Sequence, residues 1–206
     1  MNSDSRMPIF PIPTRDEQVD FLLHLYFGAA APLRACVDRA YRDFCRTLHG
    51  IGALPDAAAL RTDASERLCA WLAKLPDLST DPNGDTFDAR HRGMSKQLCA
   101  LYKGRGFNSF TIGQAQKWLN MAFKYVYVFG EARIPGFAGL YRLGHVPLDN
   151  IILGGLARFR APPLSCSWSR LRDYDEYLDF QRWIRREFPD SAPLAVEFHL
   201  WQAPDG

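Results

Sequence analysis

The 206-residue sequence contains no pair of cysteines at C-x-x-C spacing, and its five cysteines (Cys36, Cys45, Cys69, Cys99 and Cys166) are scattered and odd in number. That argues against a disulfide framework and against a structural zinc site, and fits free thiols in a reducing cytosol. No stretch approaches the ~20 consecutive apolar residues of a membrane-spanning helix, so no membrane partner is expected. The segment MNSDSRMPIFPIP has no charged stretch followed by a long apolar run and does not read as a signal peptide. Repeats and low-complexity segments are also missing. No arginine precedes a histidine by five positions, which counts against the Arg-x-x-x-x-His type of helical ribonuclease. What remains suits a cytoplasmic chain forming one domain over residues 1–206, large enough to bury a core without metal, cofactor or disulfide.

Acid is absent where it is most informative. From Ala89 to Gly130 there is no Asp or Glu at all. Residues 89–172 carry 13 Lys or Arg against only Glu131 and Asp149, although the whole chain has a net charge of just +2. Acid-rich segments flank this block on both sides. A basic, aromatic-rich window of this length suggests a footprint for the phosphates of nucleic acid. The competing account is a solvated face whose neutralising acids come from elsewhere in the fold.

Helix signals dominate the chain. Thr14 and Glu17 have capping-box spacing ahead of an apolar run to Phe27. Pro32 suits the first position of a second helix reaching about Leu48, and 57–73 predicts a third. Leu75–Asp88, with Pro76, Pro82 and Asn83-Gly84, reads as a loop, and Arg90–Tyr102 as a helix stopped by Gly104 and Gly106. Thr111 and Gln114 form a second capping box, opening a helix over 112–129 that Gly130 closes. Its apolar positions cover most of its circumference and leave a stripe of Gln114, Lys117, Asn120 and Lys124. A loop or short helical excursion over 131–144 follows. Asp149 suits the N-cap of a short helix, and a long helix is expected from about Ser169 to Phe188. Residues 194–201 alternate apolar and polar, which predicts a strand or an extended strap. The class is therefore mainly α, with about seven helices in one compact domain and a short extended C-terminal segment. Asp173, Asp175, Glu176 and Asp179 are expected to form a solvated face answered by Arg182, Arg185 and Arg186.

Two residues in the basic window suggest chemistry. A lysine on a largely buried helix pays for its charge in desolvation, and a neutral amine is a nucleophile. Snorkelling to the surface is the alternative for Lys117 and Lys124. Asp149 is the only acid between Ala132 and Arg172. It could orient such an amine, take its proton or stabilise a sugar cation. A plain N-cap has the same sequence appearance.

The order Gly104-Arg105-Gly106, Ile112-Gly113-Gln114-Ala115-Gln116-Lys117 and His145-Val146-Pro147-Leu148-Asp149 resembles the helix-hairpin-helix DNA glycosylases. These place a glycine-containing hairpin before a helix bearing a catalytic lysine, then a proline-containing turn that presents an aspartate. The 32-residue separation of Lys117 and Asp149, and Lys124 seven positions after Lys117, are similar to the archaeal 8-oxoguanine glycosylase branch. The resemblance covers about 98–155. It departs from the family where the compact L-P-G-x-G hairpin is replaced by Thr111-Ile112-Gly113.

The resemblance implies a monomer that binds DNA, flips a nucleotide out of the stack and excises its base without a cofactor. Lys117 is the implied nucleophile, with Lys124 as the other candidate, and Asp149 is the assisting carboxylate. Lys103, Arg105 and Lys124 are implied phosphate or base contacts, along with the hairpin amides. Gln114, Gln116 and Asn120 are candidates for reading a base edge, Trp118 and Phe107 for stacking, and His145 for a phosphate contact. Phe110, Trp168 and Trp183 are further aromatic candidates. The substrate is left open between an oxidised purine and a bulky modified pyrimidine such as those of phage DNA, hence between repair and defence. The alternative is a helical nucleic-acid-binding protein without catalysis, with a structural partner protein bearing a basic docking face as a further rival.

Overall fold

The computed structural model describes residues 11–78 and 84–202. Most of the segment on which the signal-peptide expectation rests, and the Pro82-Asn83 turn, lie outside the described residues. Eight α-helices make up the described fold: α1 (Arg15–Phe27), α2 (Pro32–Phe44), α3 (Ala57–Ala73), α4 (Asp85–Gly104), α5 (Ile112–Phe129), α6 (Asn150–Ala157), α7 (Tyr174–Glu187) and α8 (Pro193–Gln202). Short 3-10 turns fill several connections, including Cys45–Thr47, Ala138–Leu143 and Trp168–Arg170. No strand occurs among the described residues, and no described helix is long and apolar enough to cross a membrane.

Local signals account for where the helices begin. Both capping boxes form: Thr14 accepts from Glu17 N while Glu17 reaches back to Thr14 N, and Thr111 and Gln114 do the same. Asp149 caps α6 by accepting from Ile152 N at 2.9 Å. Helix α3 covers the segment that the periodicity predicts. Other boundaries move. Helix α4 starts at Asp85 rather than Arg90, and the expected 169–188 helix is a 3-10 turn followed by α7.

The C-terminal segment is a helix, not an extended strap. Pro193 stands in the first turn of α8, where a missing N–H is harmless. Leu194, Glu197 and Leu200, three apart, are buried together with Val196. The apparent two-residue alternation coincides with one face of a helix, and packing against α6 and α7 decides between them.

Helix α5 runs through the centre, buried from Ile112 to Val126. Trp118 has no exposed surface, and its indole N–H donates to Val37 O at 3.0 Å, tying α5 to α2. One apolar cluster gathers α2, α3, α4 and α5; the other gathers α6, α7 and α8 against the Val146–Leu148 turn and Ile112. Gly113 lets the chain cross α5 closely: a Cβ there would sit 1.7 Å from Trp168 O. All five cysteines are free, and burial raises the Cys99 thiol to about 11.

The acidic face of α7 is only partly as expected. Arg182 pairs with Asp179 on the same helix at 3.0 Å. Arg185 instead leaves α7 and grips Asp88 of α4 with two bonds of 2.8 Å, and Asp175 pairs with Arg92.

Candidate active site

Helix α5 presents three faces to three surroundings, as a 3.6-residue period requires. Gly113 packs under the Trp168–Leu171 segment, and Gln116 and Asn120 face the turn before Asp149. Lys117, Met121, Lys124, Tyr125 and Val128 share a third stripe, which forms the floor of a cleft of about 660 Å³. Arg39, Arg42, Asp43 and Arg46 of α2 and the following 3-10 turn make one wall. Asp149, Asn150 and Ile151 at the start of α6 make another, and Trp168, Trp201 and Tyr26 complete the rim. The volume falls in the range of clefts that hold small ligands, about 300–1,000 Å³.

The structure brings the two central residues together. Lys117 Nζ donates to Asp149 Oδ2 at 2.5 Å, with side-chain exposures of 6% and 15%. Asp149 Oδ1 is engaged by Ile152 N. Asp149 is thus an N-cap and a lysine partner at once, one oxygen for each duty. The N-cap bond holds the carboxylate still while the other oxygen faces the amine.

The turn carrying Asp149 is held by side-chain amides. Gln116 Nε2 donates to Leu148 O at 2.9 Å, and its Oε1 accepts from Leu148 N at 3.1 Å. Gln181 does the same for Val146, with bonds of 2.9 and 3.0 Å. Each glutamine imitates a strand's backbone pairing for an extended turn that has no strand beside it, so its buried amides are satisfied.

Beneath the turn lies a buried polar network. Asn120 donates through Nδ2 to Tyr177 and to Gln116 and accepts at Oδ1 from His91 Nε2, at 2.8, 3.0 and 3.0 Å. His145 bonds Tyr177 and the Asp88 carboxylate at 2.8 and 2.7 Å. Burial pulls both imidazoles below the ordinary histidine range; His145's charge adds to this at His91, while the Asp88 carboxylate opposes it at His145. Burial alone would raise the Asp88 carboxyl, but Arg185 and His145 together hold it well below the usual carboxylate range.

Lys124 does not snorkel. It pairs with Glu197 Oε1 at 2.6 Å and lies over the rings of Phe198 and Trp201. Glu197 is 1% exposed, and its Oε2 has no hydrogen-bond partner. Burial raises its carboxyl above the ordinary range, with Lys124 opposing.

Several expected DNA contacts are corrected by their positions. Gln116, Asn120 and His145 are buried and engaged in the turn and the network. Gln114 is buried too, its amide shared between Thr111 N, Thr47 O and Thr47 Oγ1. Trp118 and Phe107 are core residues. Phe110 is also core, and Trp183 packs on Phe180 and Phe188, whereas Trp168 does reach the cleft. The backbone start of α5 is already in use, with Gly113 N donating to Leu171 O and Gln114 N to Thr111 Oγ1. Lys103 and Arg105 are exposed but do not line the cleft, and Arg105 pairs with Asp63 at 2.6 Å.

Sequence reasoning missed Glu197, Trp201 and the α2 arginines. A row of Arg39, Arg42 and Arg46 at helical spacing is visible in the sequence, but it sits in an acid-rich segment. No protein-family model matches the chain, and no curated protein or solved structure is significantly similar to it.

Proposed function

We propose that this protein is a DNA glycosylase that excises a damaged or modified base held in the α2/α5/α6 cleft, with Lys117 as nucleophile and Asp149 as its carboxylate partner. The observation that carries this reading is the 2.5 Å contact between an amine and a capped carboxylate, both nearly buried and both lining a cleft. A structural ion pair needs no cleft.

The chemistry follows from that placement. An ammonium cannot attack, so the proton on Lys117 passes to Asp149. The amine then forms a bond to C1′ of the extruded nucleotide while the glycosidic bond breaks, its electron pair leaving with the base. Asp149 hands the proton it took from Lys117 to the departing base and is a carboxylate again, free to accept the proton that the new C1′–N bond then releases. Opening of the C1′–O4′ bond places its electron pair on O4′, which takes that second proton from Asp149, and leaves an iminium between Lys117 and C1′. The Asp149 carboxylate faces the positive charge that develops on the sugar.

Lys117 is preferred to Lys124 as nucleophile. Lys124 is held by Glu197 and overlaid by two rings, whereas the partner of Lys117 is anchored by a helix start. The substrate base is an oxidised purine or a bulky modified pyrimidine, the site serving repair or defence accordingly. A non-catalytic nucleic-acid binder is the second reading. It is favoured by the internal use of the α5 amides, which withdraws a catalytic family's usual phosphate grip.

The test is borohydride trapping on duplexes bearing oxidised, alkylated and hypermodified bases. A covalent protein–DNA adduct in the native chain that Lys117→Gln abolishes is the expected result, with DNA binding retained. Abasic sites without an adduct would mean that water, activated at Asp149, is the nucleophile. Neither product on any of these duplexes would leave the binder.

A further inference from the structure

The charges of the cleft are mostly cancelled within it. Lys117 is answered by Asp149, Lys124 by Glu197, and Arg39 has Asp43 at 4.0 Å. Two cations on the rim are left. Arg42 and Arg46 are exposed, and among the described residues neither guanidinium has a hydrogen-bond or ion-pair partner. They follow Arg39 along one side of α2 and its 3-10 extension. Arg39 is itself shaped for the rim: its guanidinium lies 4.2 Å over the Tyr26 ring, donates to Tyr26 Oη at 2.7 Å and keeps a buried Nε without a partner.

Across the cleft the rim is apolar. Trp201 and Ile151 are 57% and 54% exposed. A cationic edge facing an aromatic and aliphatic edge over a nucleotide-sized hollow matches the two faces of a single strand, phosphate on one side and base on the other. The spacing agrees. Seven residues from Arg39 to Arg46 advance about 10 Å along a helix, about three phosphate-to-phosphate steps of one strand, so the three arginines span a run of about four phosphates.

We infer that the phosphates flanking the extruded nucleotide lie along Arg39, Arg42 and Arg46, and that Trp201 and Ile151 meet its neighbouring bases. Lys103, in the last turn of α4, and Arg105, its C-cap, stand outside this contact. The inference rests on the glycosylase reading only for the presence of a DNA strand at the cleft. It moves the nucleic-acid face from the basic central third of the sequence to a helix in the acidic N-terminal third.

The test is salt-dependent binding of the full chain to a fluorescein-labelled duplex containing a tetrahydrofuran abasic-site analogue. Each lost phosphate contact lowers the slope of log K against log salt by about 0.9. Arg42→Ala/Arg46→Ala is expected to reduce the slope by roughly two such steps, and Arg42→Lys/Arg46→Lys to keep it near the native value. Circular dichroism of each variant confirms the fold. Trp201→Ala is expected to weaken binding with the slope unchanged. An unchanged slope in Arg42→Ala/Arg46→Ala overturns the inference. So does a larger loss in Lys103→Ala/Arg105→Ala, or no binding by the native chain. The trapping experiment reads separately: a reduced slope with no adduct or base release keeps this surface and removes the glycosylase, while an adduct with an unchanged slope does the reverse.

Discussion

Gln116 holds Leu148 by both of its backbone groups, with bonds of 2.9 and 3.1 Å, one residue before the carboxylate that meets Lys117. Gln116 and Lys117 are neighbours on α5, so one helix supplies both the amine and the clamp that presents the amine's partner. Substituting Gln116→Met keeps the volume and removes the clamp, leaving Leu148 N and O without their partner. A buried unsatisfied group costs about 1–3 kcal/mol. We expect a fall in stability of that order in chemical denaturation. We also expect slower adduct formation at saturating DNA with little change in DNA affinity; a purely structural role would leave the trapping rate of the folded fraction unchanged.

The Lys124–Glu197 pair predicts a non-additive double mutant. Lys124→Met leaves a buried carboxylate alone and is expected to destabilise by about 3 kcal/mol. Glu197→Leu alone strands the ammonium. The combined Lys124→Met/Glu197→Leu variant removes both charges and is expected to recover most of the loss. Denaturation of the two single variants and the double variant measures the coupling.

Acid should weaken the fold through the network beneath the turn. His91 and His145 have pKa values below their ordinary value of 6.5, so the unfolded chain binds their protons first. Their stabilisation is complete above 6.5 and is lost as pH falls through the folded values. Asp88, held below its ordinary 3.8, adds a further loss at lower pH. Glu197 acts in the opposite sense just above its ordinary 4.5, as a single group against three. Melting temperature is therefore expected to decline steadily from pH 7 towards pH 4, and Asp88→Asn to remove the part below about pH 4.

Two glycines should respond in opposite directions. Gly113→Ala drives a Cβ into the Trp168 carbonyl at 1.7 Å, so either the 168–171 segment moves or the helix does. The expected loss exceeds about 3 kcal/mol, at the upper end of overpacking effects. Gly93→Ala, within α4 and with nothing near its Cβ position, is expected to stabilise by about 0.5–1 kcal/mol. Thermal melts of the two variants compare them directly.

Much of this protein is written locally. The capping boxes at Thr14 and Thr111, the cap at Asp149 and the α3 segment follow from side-chain hydrogen bonds and periodicity within a few residues, and a linear reading recovers them. The pairing of Lys117 with Asp149 was legible as a candidate because both stand out against their surroundings in the sequence. The rest depended on contacts between distant segments. Residues 193–202 carry a pattern compatible with a strand or a helix, and only burial against α6 and α7 selects the helix. That choice delivers Glu197 to Lys124 and Trp201 to the cleft, 73 residues away in the first case. Charge counted along the chain pointed to the central basic block, yet Lys117 and Lys124 there are neutralised by Asp149 and Glu197, and Arg105 by Asp63. The unanswered cations at the cleft belong to α2 and the 3-10 turn that follows it, because electrostatics acts through space and the fold alone decides which charges become neighbours.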